Sequence, residues 1–217
     1  MIPTYNLKRL LQPKSIALFG GLWIENVANQ IKNSNFKGNV WPINPHRKSI
    51  AGYKCFQDIS DLPGVPDAAF IGVNRTKTLE ILTKLYEVGC GGATCFAAGF
   101  SEVDKYGKQL QKKLSKASKD MPFLGPNCYG YINYLDHIHM WPDQHGGKRV
   151  EKGVAIIAQS SNIAINLTMN TRSTPIAYVL TTGNQAKIDM SDLGLAMIND
   201  KRVTAIGMYI EGFRDIK

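Results

Sequence analysis

The chain has 217 residues, 44% hydrophobic and 20% charged, an ordinary globular composition sized for one large domain or one and a half smaller ones. No run approaches the roughly 18 uninterrupted apolar residues that span a bilayer, and Met-Ile-Pro-Thr-Tyr-Asn-Leu-Lys-Arg at the start lacks the apolar segment of a signal peptide, so a cytoplasmic protein is expected. A formal net charge of +9 favours an anionic partner, whether nucleic acid, a membrane surface or a phosphorylated small molecule.

Short β-rich apolar runs then alternate with helical patterns. Strands are predicted at Ser15–Phe19, Val40–Ile43, Ala68–Val73, Ala93–Phe96 and Pro122–Leu124, with helices at Val27–Lys32, Thr76–Val88 and Lys105–Lys119. In the last helix Leu110, Leu114 and Ala117 share one face while the lysines fall mainly elsewhere, which reads as a solvated surface rather than a nucleic-acid patch. The polar, glycine-bearing stretch Pro142–Gly153 reads as a linker. Beyond it the pattern restarts: strands at Val154–Ile157, Ile176–Leu180 and Ala205–Ile210, helices at Ile163–Asn170 and Ser191–Ile198. Strands alternating with helices and buried on both faces predict an α/β architecture with a doubly wound parallel sheet, divided into units 1–145 and 150–217. The second unit, a βαβαβ piece, reads as cut short. Cys55, Cys90, Cys95 and Cys128 include no C-x-x-C pair, so reduced, mostly buried thiols are expected rather than disulfides or a zinc site.

The first strand ends in Gly20-Gly21 and leads toward a helix, the arrangement that presents backbone N–H groups and a helix dipole to a phosphate. Two glycines fall short of the full G-x-G-x-x-G pattern, so a plain strand-to-helix turn remains an equal reading. NAD-binding folds place an acid about 20 residues further on. Here Trp41-Pro-Ile-Asn-Pro-His-Arg-Lys48 has none and carries His46, Arg47 and Lys48 instead. Cations there suit a phosphorylated ribose, as in CoA or NADP, and disfavour NAD; a basic surface turn is the alternative.

Several segments, in order, resemble one family, the nucleoside-diphosphate-forming (ADP-forming) acyl-CoA synthetases related to the succinyl-CoA synthetase α subunit. They are Leu11–Gly20, Phe36–Pro45, Asp58–Pro63 with Val65–Val73, Ala97-Ala-Gly-Phe-Ser-Glu102, Leu124-Gly-Pro-Asn-Cys-Tyr-Gly130, Ala158-Gln-Ser-Ser161, Thr182-Gly-Asn184 and Tyr209-Ile-Glu-Gly212. The resemblance implies a Rossmann-type CoA-binding domain followed by a partial flavodoxin-like domain. It implies that Gly20, Gly21, Leu22, Trp23 and Ile24 meet the pyrophosphate region of CoA, and that Asn44, Arg47 and Lys48 meet its adenosine phosphate end. Val73-Asn74 and Ala97-Ala98-Gly99 would lie on the same ligand-binding edge. Relatives usually carry a small residue and serine after the glycine, where this chain has Leu22 and Trp23.

Asn127 would orient a carbonyl or phosphate near the reactive end of CoA, or simply cap a turn. Cys128 beside it has no paired base and is not read as a nucleophile. Ser160, Ser161 and Asn162, at a strand-to-helix turn, would receive the phosphate carried by a phosphohistidine, with Gly183 and Asn184 lining the same pocket. Glu211 matches the family glutamate that positions that histidine, its alternative being an exposed strand-end acid.

The family relay makes an acyl-CoA from a carboxylic acid, CoA and ATP through acyl phosphate and phosphohistidine. His46, His137, His139 and His145 all precede the final strand, so the relay histidine is not among them and this chain alone is expected to bind CoA without turnover. His137-x-His139 lacks a third ligand, so no metal site is expected. ATP or ADP with Mg would enter through a separate ATP-grasp domain or chain. CoA and a small carboxylic acid are the expected partners, without nucleic acid or membrane, and self-association is left open. A CoA-binding regulatory module of a protein acetyltransferase and an NADP-dependent oxidoreductase are the competing readings.

Overall fold

Two five-stranded sheets, packed through a shared core, organise the chain; the computed structural model describes residues 5–171 and 173–212. A short helix α1 (Lys8–Leu11) precedes β1 (Ser15–Gly20), α2 (Leu22–Asn33) and β2 (Asn39–Ile43), and β3 (Ser49–Ile50) and β4 (Tyr53–Lys54) form a small antiparallel pair. There follow β5 (Ala68–Gly72), α3 (Arg75–Glu87), β6 (Ala93–Cys95), α4 (Lys105–Ala117) and β7 (Phe123–Leu124). The first sheet runs β2-β1-β5-β6-β7, all parallel, with Ile16 opposite Ala68 and Gly20 opposite Gly72.

Alternation along β1 sorts the core. Ile16 and Leu18 face α2, whose Ile24, Val27 and Ile31 are fully buried, whereas Ala17 and Phe19 face the side covered by Leu82 and Leu85 of α3 and Leu110 and Leu114 of α4. Burying a leucine or isoleucine side chain in this way contributes about 1.5–3 kcal/mol. The helices covering this layer are capped by side chains that the sequence supplies locally: Asn74 accepts from the Lys77 N–H and Asp104 from that of Gly107. Helix α2 differs. It begins at Leu22, five residues before the predicted start at Val27, with Gly21 at the cap position and no side-chain cap. No capping residue marks this start in the sequence, so tertiary burial of Ile24 sets it instead.

The second sheet contains β8 (Tyr131–Asn133), β9 (Ile138–Met140), β10 (Gly153–Ala158), β11 (Ile176–Thr181) and β12 (Val203–Tyr209), with helices α5 (Ser161–Thr168) and α6 (Met190–Ile198). Its order is β12-β10-β11-β8-β9, and β8 and β9 run antiparallel where a purely parallel βαβαβ piece was expected. The β8–β9 hairpin lies before the predicted linker, in the stretch grouped with unit 1–145, yet it hydrogen-bonds to β11 across the Tyr131–Leu180 register. Its three-residue strands are too short to register as a period-2 pattern.

The predicted linker is packed rather than loose. The Gln30 amide donates to the Asp143 carbonyl at 2.7 Å, and the Gly146 N–H donates to the Thr168 hydroxyl at 3.1 Å. The Tyr134 hydroxyl meets His145 Nδ1 at 3.0 Å, and the His139 and His145 rings stand edge to face. Burial, with smaller contributions from His145 and His137, holds His139 down at about 3, and burial lowers His145 as well. All four cysteines are free thiols. No helix among the described residues is long and apolar enough to cross a membrane, and no group of three or more His, Cys, Asp or Glu among them is arranged for a metal.

Candidate functional site

Strand order reverses between β1 and β5, and open α/β sheets bind ligands in the crevice beyond the carboxyl ends of strands at such a point. A cavity of about 390 Å³ sits there, lined by Gly20, Gly21, Asn44, Val73, Asn74 and Lys77 among others. Gly20 has φ +141°, and a Cβ on it would lie 2.6 Å from the Gly72 carbonyl oxygen, so only glycine allows β1 and β5 to end this close. Asn44 locks the turn from the next strand: its amide donates to the Gly20 carbonyl at 2.7 Å, and its Oδ1 accepts from the His46 N–H at 2.9 Å.

Other predicted contacts fall differently around this cavity. Leu22 and Trp23 are exposed, 71% and 42%, at the start of α2, while Ile24 is fully buried in the core beneath the two glycines. Arg47 does not line the cavity; it forms a bidentate pair with Glu25 at 2.7 and 3.2 Å. That hydrogen bonding lowers the Glu25 pKa and raises that of Arg47. Lys48 is exposed and also outside the lining.

The basic residues that do line the cavity are His46, Lys77 and Lys84. Lys84 is tied to Asp58 at 3.3 Å and Glu80 at 3.6 Å, whereas the Lys77 ammonium has no ion-pair partner among the described residues. Sequence reading missed Lys77, although a signal was present. Arg75 and Lys77 occupy the first turn of a helix with no acid there, against the sense of the helix dipole, which marks a place fit for an anion.

A second group of turns forms the junction between the two sheets. Ala97 and Gly99 follow β6, and the Ala97 carbonyl accepts from the Asn127 N–H at 2.9 Å. Asn127 is exposed with φ +58°. Gly183 packs so closely that a Cβ would strike the carbonyl oxygens of Pro126 and Asn127. The Asn184 N–H donates to the Pro126 carbonyl at 2.9 Å, and its side-chain amide donates to the Glu102 carboxylate and to Gln111 Oε1. Asn184 therefore clasps the first sheet's loops. Burial pushes the Glu102 carboxyl up, but hydrogen bonds from Asn184, Gly99 and Phe100 outweigh it and leave the pKa lowered.

On the second sheet, Ser160 caps α5 by accepting from the Ile163 N–H at 3.4 Å, and the Ser161 hydroxyl accepts from the Tyr129 N–H at 3.2 Å. Gln159 Oε1 accepts from the Glu211 and Gly212 N–H groups, so Glu211 is held beside this turn by its backbone while the residue stays exposed. The structure thus gathers Asn127, Ser161 and Gly183 around one junction, and the turns of Gln159 and Glu211 adjoin it. Cys128 lies there too, and burial pushes its thiol up to about 12, which keeps it protonated at neutral pH.

A switch-point cavity with a glycine contact and cationic lining, joined to a second α/β layer, defines a class of phosphorylated-ligand binders. Residues 14–134 match the CoA binding domain and residues 151–217 the succinyl-CoA ligase like flavodoxin domain, and the chain belongs to this CoA-binding domain family. A trans-feruloyl-CoA synthase from an unknown prokaryotic organism is 29% identical over 96% of the chain and 31% of its own length. An ADP-forming acetate–CoA ligase of Methanocaldococcus jannaschii is 32% identical over 97% of the chain and 30% of its own length. The structure of a dinucleotide-forming acetyl-coenzyme A synthetase 1 from Ca. Korarchaeum cryptofilum, in complex with phosphate and ADP, superposes with a TM-score of 0.86 at 30% identity, covering 96% of the chain and 46% of that protein. The chain therefore spans roughly a third of these two curated relatives, which are CoA ligases or synthases by name.

Proposed function

We propose that this chain is the CoA-binding part of an ADP-forming acyl-CoA synthetase, which forms an acyl-CoA thioester from a carboxylic acid, CoA and ATP. The observation that carries the reading is the switch-point cavity, where Gly20 and Gly72 make their close approach and Lys77 presents a cation with no ion-pair partner among the described residues. Backbone N–H groups at Gly20 and Gly21 and the start of α2 bind the CoA pyrophosphate, with Leu22 and Trp23 flanking it and Ile24 supporting the turn from below. Lys77 and His46 meet phosphate inside the cavity; Arg47 and Lys48 lie on the same turn as His46 and act at its rim. Val73, Asn74, Ala97, Ala98 and Gly99 form the edge along which the rest of CoA runs toward the junction.

At the junction, the turn Ser160-Ser161-Asn162 binds the phosphate that is exchanged with the acyl group, using free N–H groups at the start of α5. Gly183 and Asn184 hold this turn's surroundings against the first sheet, and Asn127 orients the reacting carbonyl or phosphate. Phosphate is relayed through a phosphohistidine from outside residues 1–217, and Glu211 positions that imidazole. ATP or ADP with Mg binds to a separate domain or chain, and the units 1–145 and 150–217 divide the labour between CoA and phosphate. Names among the relatives range from acetate to feruloyl, so the acid is not set by membership alone.

Calorimetric titration with CoA, dephospho-CoA, NADP and NAD tests the reading. CoA is expected to bind most tightly, and dephospho-CoA more weakly for want of the 3′-phosphate. Failure to bind CoA, or preference for NADP, sinks the proposal.

A further inference from the structure

Trp23, at the start of α2, is 42% exposed although its large indole is amphipathic and mostly apolar. It is the first member of a row. Its ring centroid lies 4.8 Å from that of Phe96, and Phe96 lies 5.6 Å from Tyr129, with interplanar angles of 47° and 45°. Phe96 and Tyr129 are only partly buried, although Phe96 also meets the core ring of Phe70 at 5.8 Å. The row continues under the surface to Trp141, which is fully buried and meets Tyr129 edge-on at 5.4 Å. Trp141 and its core cluster thus back Tyr129 from the inside, while the residue stays partly exposed.

The two ends of the exposed row matter. Trp23 begins α2 immediately after the Gly20-Gly21 turn, and the Tyr129 N–H donates to the Ser161 hydroxyl at the start of α5. On the reading above, one end is the place of the CoA pyrophosphate and the other the place of the phosphate. The acyl carbon must come within bonding distance of both the CoA thiol and a phosphate oxygen, so it is brought to the Tyr129 end. A two-carbon acid there would leave the Phe96 and Tyr129 faces wet, whereas a planar ring covers them.

We propose that Phe96 and Tyr129, at the end of the row away from Trp23 and the pyrophosphate, are the acyl-binding face and that they select a carboxylic acid bearing an aromatic ring. This rests on the CoA reading. It is tested by equilibrium titration of the 217-residue chain with CoA, acetyl-CoA and cinnamoyl-CoA, followed by calorimetry and tryptophan emission. Cinnamoyl-CoA is expected to bind about fivefold or more tightly than acetyl-CoA, the scale of one good aromatic pair. It should also perturb an emission component that Trp23→Phe removes. Tyr129→Leu and, separately, Phe96→Leu should bring the cinnamoyl-to-acetyl ratio to within about twofold of one. Equal affinities for the two thioesters, with CoA still bound, overturn this proposal and leave the CoA reading standing. A ratio that survives both leucine variants overturns it as well, because the preference would then arise elsewhere. Failure of all three ligands to bind overturns both readings together.

Discussion

Lys77 and Arg47 carry the same charge a few residues from the same cavity, and their surroundings give them different work. Arg47 is held by two hydrogen bonds to Glu25, which neutralise it before any ligand arrives. Lys77 lines the cavity without an ion-pair partner among the described residues. Lys77→Ala is therefore expected to weaken CoA by about 1.5–3 kcal/mol, the scale of a hydrogen bond to a charged group. Arg47→Ala should cost less than half of that, and calorimetric titration of both variants checks the order. Equal losses would put Arg47 back on the phosphate. Gly20→Ala is more severe: the φ of +141° and the close Gly72 carbonyl both oppose a side chain, and about 1–3 kcal/mol of stability should be lost in denaturant melts along with CoA binding. The glycine was legible in the sequence because a strand-to-helix turn is a local feature. The division between Arg47 and Lys77 was not, since it depends on α2 bringing Glu25 to the β2 turn.

The same contrast holds for whole elements. Strands β1, β5 and β6 were readable because buried parallel strands are continuous apolar runs, and α3 and α4 because their apolar positions recur at helical spacing. The β8–β9 hairpin was hidden, as its support comes from far along the chain: pairing with β11 some 50 residues later and hydrogen bonds to the Leu10 and Leu11 carbonyls more than 100 residues earlier. The loop carrying Asn184 was read as part of a phosphate pocket, yet its amide is spent on Glu102 and Gln111 of the first layer. Asn184→Asp should expose that role. It replaces a donor with a carboxylate facing Glu102, removing a hydrogen bond to a charged group and adding like-charge repulsion, together about 2–4 kcal/mol. Because one shared proton relieves the repulsion, the deficit relative to the native chain should shrink in acid. Hydrogen exchange across Gly183–Ala186 is the readout, and a deficit independent of pH would remove Glu102 from the account.

At the scale of the molecule, the segment between the layers decides how they respond to acid and heat. His139 and His145 are half-buried against Tyr134 beneath the packed linker, with His137 on the same hairpin, and the His139 pKa is depressed to about 3. An unfolded histidine titrates near 6.5, so between these values the unfolded chain binds the extra proton and the folded chain does not. Stability is then unaffected above about pH 6.5 and falls as pH drops toward 3, by up to about 1.4 kcal/mol per pH unit for this one group. Because His139 is only half-buried, solvent screening narrows the pH window over which this loss accumulates. His139→Gln keeps a polar side chain of similar reach but cannot be protonated, so its denaturation midpoint should change less between pH 7 and pH 5 than that of the native chain. The loss should also be cooperative across both layers. Tyr131 and Asn133 of β8 hydrogen-bond to the Leu10 and Leu11 carbonyls of α1, and the core around Ile16, Leu18, Tyr131 and Ile157 is continuous between the sheets. At pH 5, in a Trp23→Phe, Trp41→Phe background, the emission of Trp141, packed in the second layer, and far-ultraviolet circular dichroism, reporting both sheets, should therefore change at one temperature. Two separated transitions, with only the Trp141 signal shifted by His139→Gln, would mean that the layers unfold independently and that the linker does not couple them.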